Sequence, residues 1–326
     1  MTQRKNFLYS ALLLALPLLS GCNSGSDLII CEDGSTPAPG PGTPASITEV
    51  LTQLGAPTQQ LTYDPTRQNQ FTGALGTRVT IPARAFVRAN GQPVTTPVAL
   101  ELREIFGKAG MILSNRPTVA YGQLLESAGE VYLRPAQDSS LRLSPGTTIQ
   151  IQTQNPPNLA SRDSMRLFVA PVPGATATNC FTWFLNSDSQ SSLSPTPTGY
   201  QLEIGKVLFD AGIGWFNCDR FYGTPSPQPI IVDVAGPGID PQQNTMVFAA
   251  FRSFNGSVRV CDFTAPGTFR TNGAPAGAAV SIVVIQTVGG KLYYGRQDGL
   301  IAAGTRFSPV LKETTTAALV ADLATL

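Results

Sequence analysis

Short segments of alternating apolar and polar residues constrain the fold of this chain more than any other feature of its sequence. The alternation is clearest over residues 98–106, where Val98, Leu100, Leu102 and Phe106 fall on one face of an extended chain. A period of two is typical of a strand with one buried face. The 31 glycines and 27 prolines make up nearly a fifth of the 326 residues, and they favour turns and short strands over long helices.

Further strand candidates follow along the chain, and turn signals such as Asn90-Gly91 separate them. Short strands at spacings of roughly 8–12 residues, with no long helices between them, are typical of β-sandwiches. The sequence therefore predicts an all-β fold with two β-sandwich-like domains in tandem, at 46–185 and 200–326. A Ser/Thr/Pro-rich linker at 186–199 is predicted between them.

Two short helices are predicted beside these strands, at about 46–54 and at the C-terminus. Ser46 and Glu49 have the spacing of a capping box, and Gly55 ends the first helical pattern. Thr316 is the predicted cap of the second helix.

The first 22 residues have the pattern of an export signal. Arg4 and Lys5 precede an apolar run of 13 residues, Phe7–Leu19, which is shorter than the ~20 residues that span a bilayer. The tetrapeptide Leu-Ser-Gly-Cys that ends at Cys22 resembles the lipobox of bacterial lipoproteins. This resemblance implies that residues 1–21 are a signal peptide and that lipidated Cys22 anchors the chain.

Residues 22–45 are rich in proline and glycine and are predicted to form a flexible tether. Asp27, Glu32 and Asp33 resemble the acidic residues that direct Bacteroidota lipoproteins to the cell surface. We expect an outer-membrane location, and the choice between the periplasmic face and the cell surface stays open.

The composition excludes several classes of chemistry. The chain has no histidine, which removes Ser-His-Asp and Cys-His catalysis and the commonest zinc ligand. Lys and Arg number 22 against 21 Asp and Glu, so no basic surplus is present to bind a nucleic-acid backbone. No two cysteines have C-x-x-C spacing. We expect no metal, no cofactor and no nucleic-acid partner.

Five cysteines are present, at Cys22, Cys31, Cys180, Cys218 and Cys261. If Cys22 carries lipid, the other four form an even set in an oxidising compartment, and all are disulfide candidates. Three pairings of these four are possible, and the sequence does not choose among them.

Two blocks of sequence resemble a family of Bacteroidota envelope lipoproteins. The first is FTGALGTRVTIPARAFVRANGQPVTTPVALELREIF at 71–106, and the second is GWFNCDRF at 214–221. The first block also resembles ZU5 domains, which are β-sandwiches. The resemblance covers most of residues 59–326, and Glu130 departs from it where the family has methionine. The resemblance implies a β-sandwich fold and a location in the cell envelope, but it implies no catalysed reaction.

Six polar or aromatic residues are candidates for ligand contact or for structural roles. They are Glu104, Glu126, Trp215, Asn217, Asp219 and Arg220.

Glu104 shares a face with apolar residues, so we expect a buried ion pair, with Arg103, Arg116 or Arg134, or a hydrogen-bonded network. Alternation places Trp215 and Asp219 on one face of their strand and Arg220 on the other. Asp219 and Arg220 are therefore expected to have separate partners.

These observations favour a lipid-anchored, non-catalytic binding, adhesion or scaffolding protein. Its expected partners are the membrane, through the lipid, and an envelope protein or polysaccharide. The alternative is a hydrolase that acts on envelope polysaccharide or peptide through Glu104, Glu126 and Asp219. No nucleophile motif such as Gly-x-Ser-x-Gly or Ser-x-x-Lys is present to support other hydrolytic chemistry.

Overall fold

The computed structural model of the chain describes residues 42–171, 180–236 and 238–326. The predicted signal peptide, Cys22, Cys31 and nearly all of the predicted tether lie outside the described residues. Residues Thr43–Leu326 form one compact unit.

Short strands dominate this unit, and the predicted all-β fold is confirmed. In the described ranges, four short helices accompany the strands: α1 (Ile47–Leu54), α2 (Lys108–Leu113), α3 (Lys206–Asp210) and α4 (Thr316–Leu323). Within the described parts of the chain, no helix has the length and apolar character needed to cross a membrane.

Fourteen strands build a first sandwich. They are β1 (Gln59–Tyr63), β2 (Asn69–Thr72), β3 (Arg78–Ile81), β4 (Phe86–Val87), β5 (Val98–Ile105), β6 (Val119–Ala120), β7 (Gln123–Pro135), β8 (Arg142–Leu143), β9 (Ile149–Gln154), β10 (Arg166–Pro171), β11 (Phe184–Leu185), β12 (Ser192–Pro195), β13 (Gly199–Ile204) and β14 (Ile213–Phe221).

One sheet of this sandwich has the order β1-β5-β7-β14-β10-β11, with β6 paired to β7, and the other has the order β12-β13-β9-β3-β2. Strands β4 and β8 form a separate pair. Side chains from both large sheets, such as Leu102, Ile151 and Phe216, fill one apolar core between them.

Nine strands build a second sandwich. They are β15 (Pro227–Asp233), β16 (Thr245–Phe251), β17 (Ser257–Arg259), β18 (Asp262–Thr264), β19 (Thr268–Pro275), β20 (Ala279–Val288), β21 (Lys291–Leu300), β22 (Arg306–Phe307) and β23 (Lys312–Glu313).

Its sheets have the orders β18-β19-β15-β22 and β17-β16-β20-β21-β23. Val232, Phe251 and Ile282 are fully buried in the core between them. Gly289 and Gly290 join β20 to β21, and both have positive φ, of 58° and 74°. A two-residue hairpin turn whose twist matches that of its strands needs positive φ at both central residues.

The division between the sandwiches differs from the predicted one. The segment 186–199 is not a linker, because it contains β12, which pairs with β13. Strand β14 pairs with β7 and β10 at the centre of the first sandwich. The first sandwich therefore continues to Phe221. The composition of 186–199 indicated a linker because serine, threonine and proline also suit an edge strand between turns.

Both helices that the sequence predicts are present. The Ser46 side chain accepts a hydrogen bond from the Glu49 backbone N–H at 3.1 Å and caps α1. The cap of α4 is Thr315 rather than Thr316, because the Thr315 hydroxyl lies 3.2 Å from the Ala318 N–H, three residues on.

Helices α1, α2 and α4 cover the outer face of the β16-β20-β21 sheet. Ile47, Ile112 and Leu319 pack there against Phe248 and Ile285. Helix α1 therefore packs on the second sandwich, although all strands of the first sandwich follow it in the sequence.

Polar contacts join the two sandwiches. The Asn255 side-chain amide, from the loop between β16 and β17, donates to the carbonyls of Ser127 at 2.8 Å and Phe106 at 3.0 Å. The Ser127 N–H donates in return to the Asn255 carbonyl at 2.9 Å. Thr118 and Ser257 exchange further bonds beside them.

A disulfide adds a covalent link between the sandwiches. It joins Cys180, from the segment between β10 and β11, to Cys261, whose Cα lies 6.0 Å away. Cys218, the third candidate, is buried in the first core and has no partner cysteine among the described residues. Burial raises the pKa of its thiol, which disfavours the reactive thiolate.

We expect mass mapping without reduction to recover one peptide pair that contains Cys180 and Cys261, with Cys218 as a thiol. Cys218 should react with iodoacetamide only after the chain unfolds, because its side chain is fully buried. A bridge that includes Cys218, or three thiols, would contradict this assignment.

Candidate functional site

The outer face of the first sandwich carries a row of charged and aromatic side chains. Arg103 lies opposite Tyr132 across the β5–β7 pair, and Tyr132 lies opposite Trp215 across the β7–β14 pair. The Tyr132 and Trp215 ring centroids are 5.2 Å apart, and the guanidinium carbon of Arg103 lies 5.4 Å from the Tyr132 centroid. Three neighbouring strands thus place these side chains side by side.

Arg116 covers this row from the loop after α2. Asn115, with φ of 49°, turns the chain there, and the Arg116 N–H donates to the Met111 carbonyl at 2.7 Å. The guanidinium carbon of Arg116 lies 4.6 Å from the centroids of both Phe181 and Trp215. A cation between two aromatic rings gains from the negative charge of both ring faces.

The Arg116 side chain is nonetheless incompletely partnered. The residue is only 6% exposed, yet its Nε and Nη1 atoms have no hydrogen-bond partner in the described structure. The Arg103 Nε atom is buried and unpartnered as well. Burial is the main cause that lowers the pKa of Arg116, to about 10. The Glu130 carboxyl opposes this shift, and the smaller effect of the Arg103 charge adds to it.

These two arginines and Trp215 line a cavity of about 590 Å³. Its opposite wall comes from α1 and the turn that follows, through Thr48, Thr52, Gln53 and Thr58. Gly55 closes this turn tightly, since a Cβ at this position would lie 2.5 Å from the Leu51 carbonyl oxygen. The volume is within the range of ~300–1,000 Å³ that is common for small-molecule sites.

Two carboxyl groups lie buried in the same region. Glu130 is opposite Asn217 in the β7–β14 pair, and both of its oxygens lack a hydrogen-bond partner among the described residues. Asp219 accepts a hydrogen bond from the Asn217 side-chain amide at 2.7 Å through one oxygen, while its other oxygen is unpartnered. Both carboxyl groups are fully buried.

Burial raises the pKa of Glu130 well above its ordinary value, and the Asp219 charge raises it further while Arg116 opposes. Burial likewise raises the pKa of Asp219, against hydrogen bonds from Ser127 and Asn217. Burial thus shifts both groups towards the neutral acid.

Glu126 and Arg220 form a separate ion pair on the other side of β14. The Arg220 Nε and Nη2 atoms lie 2.7 and 2.6 Å from Glu126 Oε2. The other Glu126 oxygen accepts a hydrogen bond from the Ala160 N–H. Arg220 and Asp219 thus have separate partners, as the alternation along β14 predicts.

Glu104 stabilises a turn of the first sandwich. Its carboxylate accepts hydrogen bonds from the N–H groups of Thr77 at 2.9 Å and Leu75 at 3.0 Å, and from the Gln59 side chain at 2.8 Å. A Cβ at Gly73 would lie 2.4 Å from the same carboxylate, which explains the glycine there. The expected hydrogen-bonded network is present, and the partners are backbone amides instead of an arginine.

The cavity lined by Arg103 and Arg116 is called the arginine cavity below. Of the six residues that the sequence singles out, only Trp215 lines it. Asn217 and Asp219 lie behind it on the same face of β14, while Glu104, Glu126 and Arg220 belong to other networks. Sequence reasoning did not identify Glu130 as a site residue, although its departure from the family pattern was the available signal. It considered Arg103 and Arg116 only as partners of Glu104.

Across the residues with described coordinates, no group of three or more Cys, Asp or Glu is arranged to hold a metal ion. Comparison with protein-family models, curated proteins and solved structures finds no match to this chain.

The buried acids predict an unusual dependence of stability on pH. Above the unfolded-state pKa of Glu130, the unfolded chain loses a proton that the folded chain keeps, so the free energy of unfolding falls as pH rises. The slope is up to about 1.4 kcal/mol per pH unit for each such group. Between pH 5 and 8 no histidine titrates to obscure it.

We expect Glu130→Gln to reduce this slope, because glutamine retains the shape and removes the proton. Urea unfolding at pH 5, 6, 7 and 8 measures the effect, and Glu313→Gln, at an exposed position, is the matched control. Equal slopes in the wild-type protein and Glu130→Gln would show that Glu130 is not a neutral buried acid.

Proposed function

We propose that this chain is a non-catalytic, lipid-anchored protein of the outer membrane that binds an envelope ligand in the arginine cavity. The observation that carries the proposal is the cavity lining. Arg103, Arg116 and Trp215 line a space large enough for a small ligand, and buried donors of both arginines have no partner within the described fold. A binding site requires such convergent polar groups on an apolar surface.

The carboxylates support a binding role over hydrolysis. A glycosidase of the usual kind needs two carboxyl groups that flank the scissile bond, roughly 5–9.5 Å apart. Glu104 and Glu126 are buried and accept hydrogen bonds from the protein, and Asp219 is fully buried behind the cavity wall. These groups contribute to folding and have no direct path to a substrate.

The proposal of a lipid anchor rests on the Leu-Ser-Gly-Cys tetrapeptide and on the basic residues and apolar run that precede it. Acyl chains at Cys22 supply enough buried methylene groups for stable attachment, since each contributes about 0.8 kcal/mol. The tether then separates the folded unit from the lipid headgroups. A disulfide between the sandwiches suits the oxidising conditions outside the cytoplasm.

We expect Cys22→Ser to move the protein from the membrane pellet to the soluble fraction, because the modified thiol is lost. Cys31→Ser is the matched control and should remain in the pellet. Immunoblots of the two fractions in the native host measure the outcome. A Cys22→Ser protein that still sediments with membranes would contradict the lipid anchor.

Protease treatment of intact cells decides which side of the outer membrane carries the folded unit. Loss of the full-length band without lysis indicates the cell surface, and loss only after permeabilisation indicates the periplasmic face.

A further inference from the structure

The chemistry of the cavity indicates what kind of ligand it takes. Of the two arginines that line the cavity, Arg116 has more nitrogen atoms without a hydrogen-bond partner. A buried donor without a hydrogen-bond partner is costly, and more so when it is charged. Two of its three nitrogens are in this state. A group that accepts from both would remove the cost.

Two guanidinium groups in one cavity favour an anion. The charge of Arg103 acts unfavourably on Arg116, and neither arginine forms an ion pair with a carboxylate in the described part of the chain. Both oxygens of Glu130 lack any hydrogen-bond donor among the described residues, so Glu130 and Arg116 make no direct bond. Guanidinium forks match the paired oxygens of carboxylate, sulfate and phosphate groups.

The opposite wall has different chemistry. Thr48, Thr52, Gln53 and Thr58 are exposed residues that present hydroxyl and amide groups without charge. Such groups both donate and accept, as the hydroxyls of a sugar ring require. Trp215 adds an apolar surface between the two polar walls.

We propose that the cavity binds an acidic saccharide, a sugar that carries a carboxylate, sulfate or phosphate group. Arg116 and Arg103 hold the oxyanion, and the threonine and glutamine side chains of α1 and its following turn contact the sugar hydroxyls. This inference rests on the proposed function, since it names the ligand of the same cavity.

The test is calorimetric titration of the full chain in non-ionic detergent at pH 7 and constant ionic strength. The probes are glucuronate, glucose 6-sulfate, glucose 6-phosphate, glucose and inorganic phosphate. We expect at least one acidic sugar to bind at least about tenfold more tightly than glucose, because its oxyanion adds charge-assisted hydrogen bonds that glucose cannot form. Inorganic phosphate should bind more weakly than glucose 6-phosphate.

Every other outcome contradicts one part of the proposal. Equal binding of glucose and the acidic sugars leaves a binding protein but refutes the anion. Inorganic phosphate that binds as tightly as the acidic sugars refutes the saccharide. If no acidic sugar binds, the proposed ligand class is wrong. The lipid anchor is tested separately, by the fractionation of Cys22→Ser.

Variants separate a binding role of the arginines from a structural one. Arg103→Gln and Arg116→Met should each weaken the acidic sugar at least about tenfold. Arg78→Gln, at an exposed position of β3, is the matched control and should bind normally. Arg116→Met should also leave the Tm unchanged or raise it, since it removes a buried and incompletely partnered charge.

A structural role would give the reverse pattern. Arg116→Met would then lower the Tm through loss of its contacts with Phe181 and Trp215, while Arg103→Gln would bind the sugar as the wild-type protein does. That result would refute the assignment of the two arginines, even if Arg116→Met proved too unstable to titrate.

Discussion

The side-chain amide of Asn255 holds the two sandwiches together at one buried point. It donates to the backbone carbonyls of Ser127 and Phe106 in the first sandwich, and the Asn255 backbone carbonyl accepts from the Ser127 N–H. Backbone groups in such a place must be satisfied by the protein, because water does not reach them. Together with the Thr118–Ser257 bonds and the Cys180–Cys261 disulfide, this exchange fixes how the two sandwiches meet.

A bulge in β7 creates the opening for Asn255. The pairing with β14 shifts between Ser127 and Glu130, so one extra residue is accommodated in β7. Gly129 there has φ of 135°, and a Cβ would lie 2.3 Å from a ring carbon of Phe106. A bulge leaves part of the ladder unpaired and redirects the side chains that follow it. Here it frees backbone for Asn255 and brings Glu130 into line with Asn217.

Local patterns were sufficient to predict several parts of this fold. The Ser46 cap and the alternation along β14 each depend on residues a few positions apart, and each is confirmed. The assignment of β13 and β14 to the second sandwich was wrong, because strand partners are chosen by contacts between distant segments. The cavity depends on the same kind of contact, since Arg116 and Trp215 are far apart in the sequence and meet only through the fold.

The helix α1 contributes to two structures at once. One face, with Ile47 and Val50, packs on the second sandwich, and the other lines the cavity beside Arg103. The chain enters the folded unit through this helix. A displacement of α1 would therefore disturb the packing on the second sandwich and the cavity wall together.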